Sequence, residues 1–144
     1  MGFELIAWVA LRDPTGRILL ARRAGTDRGD GLWNLPGGHI EDAEPAPVAA
    51  AREAGEEVCA RLSPDDLVHV GLQRFDVPYT LGRAQGFNFF FEARRWSGEL
   101  APGEATSELA WFALDDLPAD ILPWLPAALQ THLVERRFYV ETVG

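Results

Sequence analysis

The sequence predicts a mixed α/β (α+β) domain in which strands and helices alternate. Three observations carry this. Runs rich in β-branched and aromatic residues recur from Glu4 to the aromatic-dense stretch ending at Trp96. An alanine-rich amphipathic segment begins just after Pro45 and Pro47, and proline is tolerated in the first turn of a helix. A second helical pattern lies near the end of the chain. At 144 residues the chain is long enough to bury a real core, so residues 1–144 are read as one domain.

Each element follows from local chemistry. Glu4 to Arg12 is β-rich and stops at the turn formers Asp13-Pro14-Thr15-Gly16. Arg17 to Ala24 is a second strand, and Gly25 to Gly31 a polar loop. Leu32 to Leu35 is short and apolar and ends in a Pro36-Gly37-Gly38 turn. The first helix is expected from Pro47 to Arg61. Ser63-Pro64-Asp65-Asp66 is a turn. Leu67 to Val77 and Phe87 to Trp96 are strands, Ser97 to Ser107 a loop and Leu109 to Ala113 a short strand. Trp124 to Arg137 is the closing helix. No repeat, linker or low-complexity tract interrupts the series.

Composition narrows the function. With 47% hydrophobic residues and a mean hydropathy near zero, the chain reads as globular. A net charge of −9 argues against a nucleic-acid polymer as partner, because that requires a basic surface. The single cysteine excludes an internal disulfide and a Cys₄ zinc site. Cys59 is expected as a small buried residue beside the apolar seam of the first helix. The apolar run Leu5 to Leu11 is too short to span a bilayer. No basic targeting segment is visible, so the expected setting is cytoplasmic, with no membrane partner.

The chemistry concentrates at Gly38, Glu44, Arg52, Glu53, Glu56 and Glu57. Glu53, Glu56 and Glu57 have (i, i+3) and (i, i+4) spacing and span an arc of about 100° on a helix. Val48, Ala51, Gly55, Val58 and Leu62 are expected on the opposite, core-facing side. So many carboxylates in one turn repel one another. A hard divalent cation such as Mg²⁺ relieves this, since it takes carboxylate and phosphate oxygens. Arg52 and Glu56 form an (i, i+4) pair, so Arg52 is expected to position a glutamate rather than to bind substrate. Glu44 lies near the helix start, where the helix dipole alone would stabilise it. The competing reading is a solvated acidic helix face.

The spacing distinguishes these readings. Gly38, five residues, Glu44, seven residues and then Arg52-Glu53-Ala54-Gly55-Glu56-Glu57 resembles the signature of the Nudix hydrolases. Ala54 and Ala60 are smaller than the usual aliphatics, and Cys59 replaces the closing glycine. The resemblance implies a mixed sheet sandwiched between two helices. It implies that the Gly38 carbonyl, Glu53, Glu56 and Glu57 hold Mg²⁺, with Mn²⁺ as a substitute. Glu53 is also the first choice for orienting or deprotonating the attacking water. Glu44 is either a metal or water-relay group or a dipole partner. Glu104, with Glu108 behind it, is either a further metal ligand or an exposed loop acid.

Substrate contacts are read in the same way. Arg22 and Arg23 alternate faces, so one of them can enter a cleft and bind phosphate; similar enzymes favour Arg23, with Arg28 a weaker choice. Asn88 points opposite to Phe87 and Phe89 and is a candidate reader of a base edge. Trp33, Phe75, Tyr79, Phe87, Phe89 and Trp111 are candidates for stacking on the base. His39, His69 and His132 have no metal-ligand spacing, and His69 is expected to face solvent.

The activity implied is metal-dependent hydrolysis of a nucleoside diphosphate linked to another group. The partner is a small-molecule nucleotide, and a homodimer is common among similar proteins. A nucleoside triphosphate leads. No proline falls at the spacing after the motif that marks ADP-ribose hydrolases, and the coenzyme A signature around Leu19 to Arg28 is one residue short. A non-catalytic nucleotide-binding module would usually have lost motif glutamates. A purely structural domain would show no metal-dependent release of phosphate or pyrophosphate.

Overall fold

A computed structural model describes residues 2–144. β1 (Phe3–Leu11) and β2 (Ile18–Arg23) are joined by a turn in which Asp13 Oδ1 accepts the N–H groups of Thr15 and Arg17. β3 (Trp33–Asn34) and β4 (Gly37–His39) follow, then α1 (Ala46–Val58) and a single 3₁₀ turn (Pro64–Asp66). β5 (Val68–Tyr79) and β6 (Gly82–Ala93) form a long hairpin, followed by β7 (Thr106–Phe112). α2 (Leu125–Leu129) runs on into a π-helical turn (Gln130–Val134), and β8 (Tyr139–Val143) ends the fold.

The strands make two sheets. A mixed five-stranded sheet has the order β4-β1-β6-β5-β8, with β1/β6 and β5/β8 parallel. A three-stranded antiparallel sheet has the order β3-β2-β7. Alternation along β1 and β2 explains their continuous apolar runs, because both faces are buried. Ala7, Val9, Leu11, Leu19 and Ala21 join the core under α1, beside Ala50, Ala54 and Val58. Trp8, Ala10, Ile18 and Leu20 join a second core with Leu125, Leu129 and Leu133. The strands therefore lie between two helical layers, as the resemblance implied.

Several expectations need correction. α1 ends at Val58, not Arg61, because Cys59 adopts a left-handed conformation with φ 61°. Its N–H caps the Ala54 carbonyl, and the side chain is exposed rather than buried. The core stripe of α1 is Ala49, Ala50, Ala54 and Val58, while Val48 is exposed. Glu57 stands seven residues after Ala50 and three after Ala54, so it lies on the edge of this stripe and not opposite it. The Gly37-Gly38 pair is a strand, not a turn. Gly37 pairs with Trp8 and Gly38 with Ala7. A Cβ on Gly37 would come within 2.4 Å of the Ala7 carbonyl, so close approach is what requires glycine there.

The closing helix is shorter than Trp124 to Arg137. β8 follows it, and the first half of β6 was also unforeseen, since Gly82 and Gly86 hide its pattern. His69 is exposed as expected, though its ring stacks on Phe91 at 4.7 Å. His132 is 1% exposed, with Nδ1 donating to the Arg137 carbonyl at 2.9 Å and its ring stacked on Phe90. Burial holds both histidines below the usual pKa. No helix among the described residues is long and apolar enough to cross a membrane.

Candidate active site

Arg52 is the hub of the carboxylate cluster. Its guanidinium forks onto Glu44, with Nε to Oε2 at 2.8 Å and Nη2 to Oε1 at 3.0 Å. Nη1 donates to Glu53 at 2.9 Å and to Glu56 at 3.1 Å, and Nη2 reaches the His39 carbonyl at 3.1 Å. The anticipated Arg52–Glu56 pair is thus one strand of a larger net, and its bidentate partner is Glu44. The Arg52 bond holds the Glu44 carboxyl below its usual pKa. Such forks fix direction as well as charge.

Glu53 and Glu57 lie deeper. Glu53 packs directly on Gly38, where a Cβ would fall 2.6 Å from the carboxylate. Glu57 Oε1 accepts the Gly37 N–H at 3.0 Å. The two carboxyls are within hydrogen-bond reach of each other. Burial raises the pKa of Glu53. It raises Glu57 further, to about 8; the Gly37 N–H and Arg23 oppose this shift, and the Glu53 charge adds to it. Among the described residues no three His, Cys, Asp or Glu side chains are gathered into a ready-made metal cage. The Glu56 oxygen faces Arg52 instead.

The loop before β7 seals the end of α1. Ala101, Gly103 and Glu104 donate backbone N–H groups to the carbonyls of Val58, Glu57 and Glu56 at 3.1, 2.8 and 2.8 Å. A Cβ on Gly103 would strike the Glu56 carbonyl at 2.2 Å. Glu104 is therefore anchored by its backbone beside the cluster, with its side chain exposed. Glu108 is not free to replace it, because it pairs with Arg22 at 2.7 Å.

A cavity of about 720 Å³ opens beside the cluster, with Gly37, Gly38 and Glu57 on its wall. Arg23 and Arg28 also line it. Arg22 does not, which corrects its assignment as a substrate contact. Strand alternation sends the two neighbours to opposite faces, and the pairing skips Ser107 of β7 at this point. Arg22 is held by Glu108, Asp120 and the Gly31 carbonyl, and lies over Trp33. Asn88 does line the cavity, but both ends of its amide are occupied. Its Oδ1 accepts from Trp8 Nε1 at 2.8 Å, and its Nδ2 donates to Gln73 at 2.9 Å. These two bonds brace Asn88 and use only one of its two Nδ2 hydrogens.

Of the six aromatic candidates only Phe75 lines the cavity; Trp8 and Trp124 do so as well and were missed. Trp33 packs edge-on against Phe112, and Trp111 stacks on Trp96. Asn34 was missed too. It is 1% exposed on the cavity wall, and its Nδ2 has no hydrogen-bond partner. An unmatched buried donor costs about 1–3 kcal/mol.

Comparison with known proteins agrees with this fold. The NUDIX domain family model matches residues 2–131, so the chain belongs to the Nudix family. A MutT NUDIX hydrolase from Burkholderia pseudomallei superposes with a TM-score of 0.77 at 29% identity, covering 90% of this chain and 98% of that one. A MutT protein from Bacillus halodurans also gives 0.77, at 19% identity over 98% and 90% of the two chains, and shares the fold. An RNA pyrophosphohydrolase from Gluconobacter oxydans (strain 621H) is 34% identical over 61% of this chain. The chain spans about half the length of the curated relatives it matches, 51% in that case.

Proposed function

We propose that this chain hydrolyses a nucleoside triphosphate to the monophosphate and pyrophosphate with the help of a divalent cation. The carrying observation is the half-buried Glu57 on the wall of a cavity that Arg23 and Arg28 also line, with Glu53 packed beside it against Gly38. The donor set fits Mg²⁺ or Mn²⁺. It consists of hard carboxylate oxygens, and a cation entering there would displace the proton that the raised Glu57 pKa retains. Glu53, Glu56 and Glu57 with the Gly38 carbonyl would hold it, and Glu104 is close enough in the chain fold to join. When bound, such a cation neutralises phosphate oxygens and acidifies a water.

The chain's own groups do the rest. Arg52 keeps Glu44, Glu53 and Glu56 in one orientation. Glu53, against Gly38, orients the attacking water or takes its proton. Arg23 binds phosphate and balances charge developing there. A solved neighbour from Francisella tularensis, 23% identical, was obtained with AMP and a manganese ion. The relatives named RNA pyrophosphohydrolase suggest a triphosphate carried on an RNA end as a second reading. The net charge of −9 weighs against a long RNA partner, so the free nucleotide leads.

The test is turnover with Mg²⁺ across nucleoside triphosphates, ADP-ribose, nucleotide sugars, coenzyme A and triphosphorylated RNA, in wild type and Glu57→Gln. Metal-dependent release of pyrophosphate that falls by about a hundredfold or more in the variant is expected. Equal rates in the two proteins would remove Glu57 from the site. Turnover of RNA alone would move the substrate to the second reading.

A further inference from the structure

We propose that β8 is a docking edge for a second copy of this chain, joining two sheets through antiparallel pairing of β8 with β8. This goes beyond the hydrolytic reading and does not depend on it. The five-stranded sheet ends in β4 on one side and β8 on the other. The β4 edge is closed, because Glu57 takes the Gly37 N–H and Arg52 donates to the His39 carbonyl. The β8 edge is open. Phe138 accepts the Leu72 N–H at 2.7 Å, and the Gly144 N–H reaches the Asp76 carbonyl at 3.0 Å, so these residues turn their backbone toward β5. Along a pleated strand in a parallel ladder, alternate residues turn the other way. Tyr139, Glu141 and Val143 therefore aim their N–H and C=O groups outward, and no strand among the described residues meets them.

Proteins blunt an open edge with proline, lysine, a bulge or a covering segment. β8 has none of these. It reads Tyr139-Val140-Glu141-Thr142-Val143, pairs with β5 without a bulge, and is exposed at every position but Val140. Apolar surface flanks the edge as well. Phe138 and Tyr139 are each 46% exposed, and Val143 is 57% exposed. A strand laid along this edge would satisfy the outward backbone groups and cover these side chains.

Charge selects a second copy as the occupant. A two-fold axis sets outward residue against outward residue. Centred on Glu141, it would bring two carboxylates face to face, which destabilises a cross-strand pair. Centred on Thr142, it would lay Glu141 on the partner's Val143. Centred on Val140, it sets Glu141 against the partner's Tyr139, and does so twice. Tyr139 Oη already donates to such a carboxylate, that of Glu141 in its own chain, at 2.7 Å. Arg74 stands behind Glu141 at 3.7 Å, so cation, anion and phenol follow one another across the joint and no like charges meet. The edge is thus complementary to itself in one register. The axis runs through the sheet, so the two cavities, on the side of Gln73, Asn88 and Thr142, open on the same face of the joined sheet.

Such an interface is small, so a dissociation constant of about 1–100 μM is expected. Sedimentation velocity of the wild type, across that range and tenfold beyond it, reads the association. Single cysteines in a Cys59→Ser background read the register. Val140 faces the partner's Val140 as a non-hydrogen-bonded pair, with Cα atoms about 4.5 Å apart and within disulfide reach. Val140→Cys should therefore cross-link into a covalent dimer on mild oxidation, and Glu141→Cys should not. Tyr139→Glu sets carboxylate against carboxylate twice and should weaken association by about tenfold, whereas Tyr139→Lys should associate at least as tightly as the wild type. A wild type that stays monomeric throughout overturns the proposal. A dimer that cross-links through Glu141→Cys and not through Val140→Cys overturns it too, as does one that Tyr139→Glu leaves unchanged. The wild-type profile and the cysteine pair decide the matter even if a Tyr139 variant fails to fold.

Discussion

Arg52 illustrates how one side chain sets the geometry of three others. Its planar fork satisfies Glu44 through two bonds and still reaches Glu53 and Glu56. Lysine carries the charge but cannot reproduce the fork. Arg52→Ala and Arg52→Lys should both lower kcat, by about 10–100-fold for alanine and less for lysine, with KM changed far less. Steady-state kinetics with parallel Mg²⁺ titration checks this, and a pure KM effect would instead make Arg52 a substrate contact. The charged motif, including this arginine, was legible from spacing alone. Its detail was not. The bidentate partner lies eight residues earlier, across the loop before α1, and helix periodicity has nothing to say about a residue outside the helix.

At the level of elements, the end of α1 is the strained point. Cys59 holds φ 61° where a side chain costs about 1–2 kcal/mol, partly offset by the lower chain entropy of a non-glycine residue when unfolded. Cys59→Gly should therefore stabilise the domain by roughly 0.5–1 kcal/mol and raise Tm by about 2 °C, as calorimetry would register. An unchanged or lower Tm would mean that the Cys59 side chain contributes contacts of its own. The resemblance implied that glycine is usual here but not that the replacement would keep the left-handed backbone. β8 and the first half of β6 escaped for a different reason. Their glycines and exposed polar residues weaken the period-two pattern, and pairing with β5 over long sequence separation supplies what local propensity does not. The same limit hid Trp8, Asn34 and Trp124. Each reads as core or turn in isolation, and only the stacking of two sheets brings them to one cavity.

For the whole molecule, the half-buried carboxyl pair couples folding to pH. Glu57 titrates near 8 when folded and near 4.5 as an ordinary carboxyl. Between those values the folded, metal-free chain binds a proton that the unfolded chain has released, so its stability falls as pH rises through that window. On the proposed reading a cation would replace the proton, and the rise in Tm on adding Mg²⁺ should therefore be larger at about pH 8 than at about pH 6. Thermal melts at fixed Mg²⁺ across this range test it; a shift independent of pH would show that the metal does not displace the Glu57 proton.

The pairing of β8 with β5 reaches beyond closing the sheet edge. Thr142, near the chain's last residues, accepts from Gln73, and through Gln73 it steadies Asn88 and Trp8 on the cavity wall. A protease cutting behind Arg137 would leave the glutamates of α1 untouched and yet slacken the wall against which a base would rest. The tail is thus a remote brace for the cavity wall, separate from the carboxylate cluster on α1.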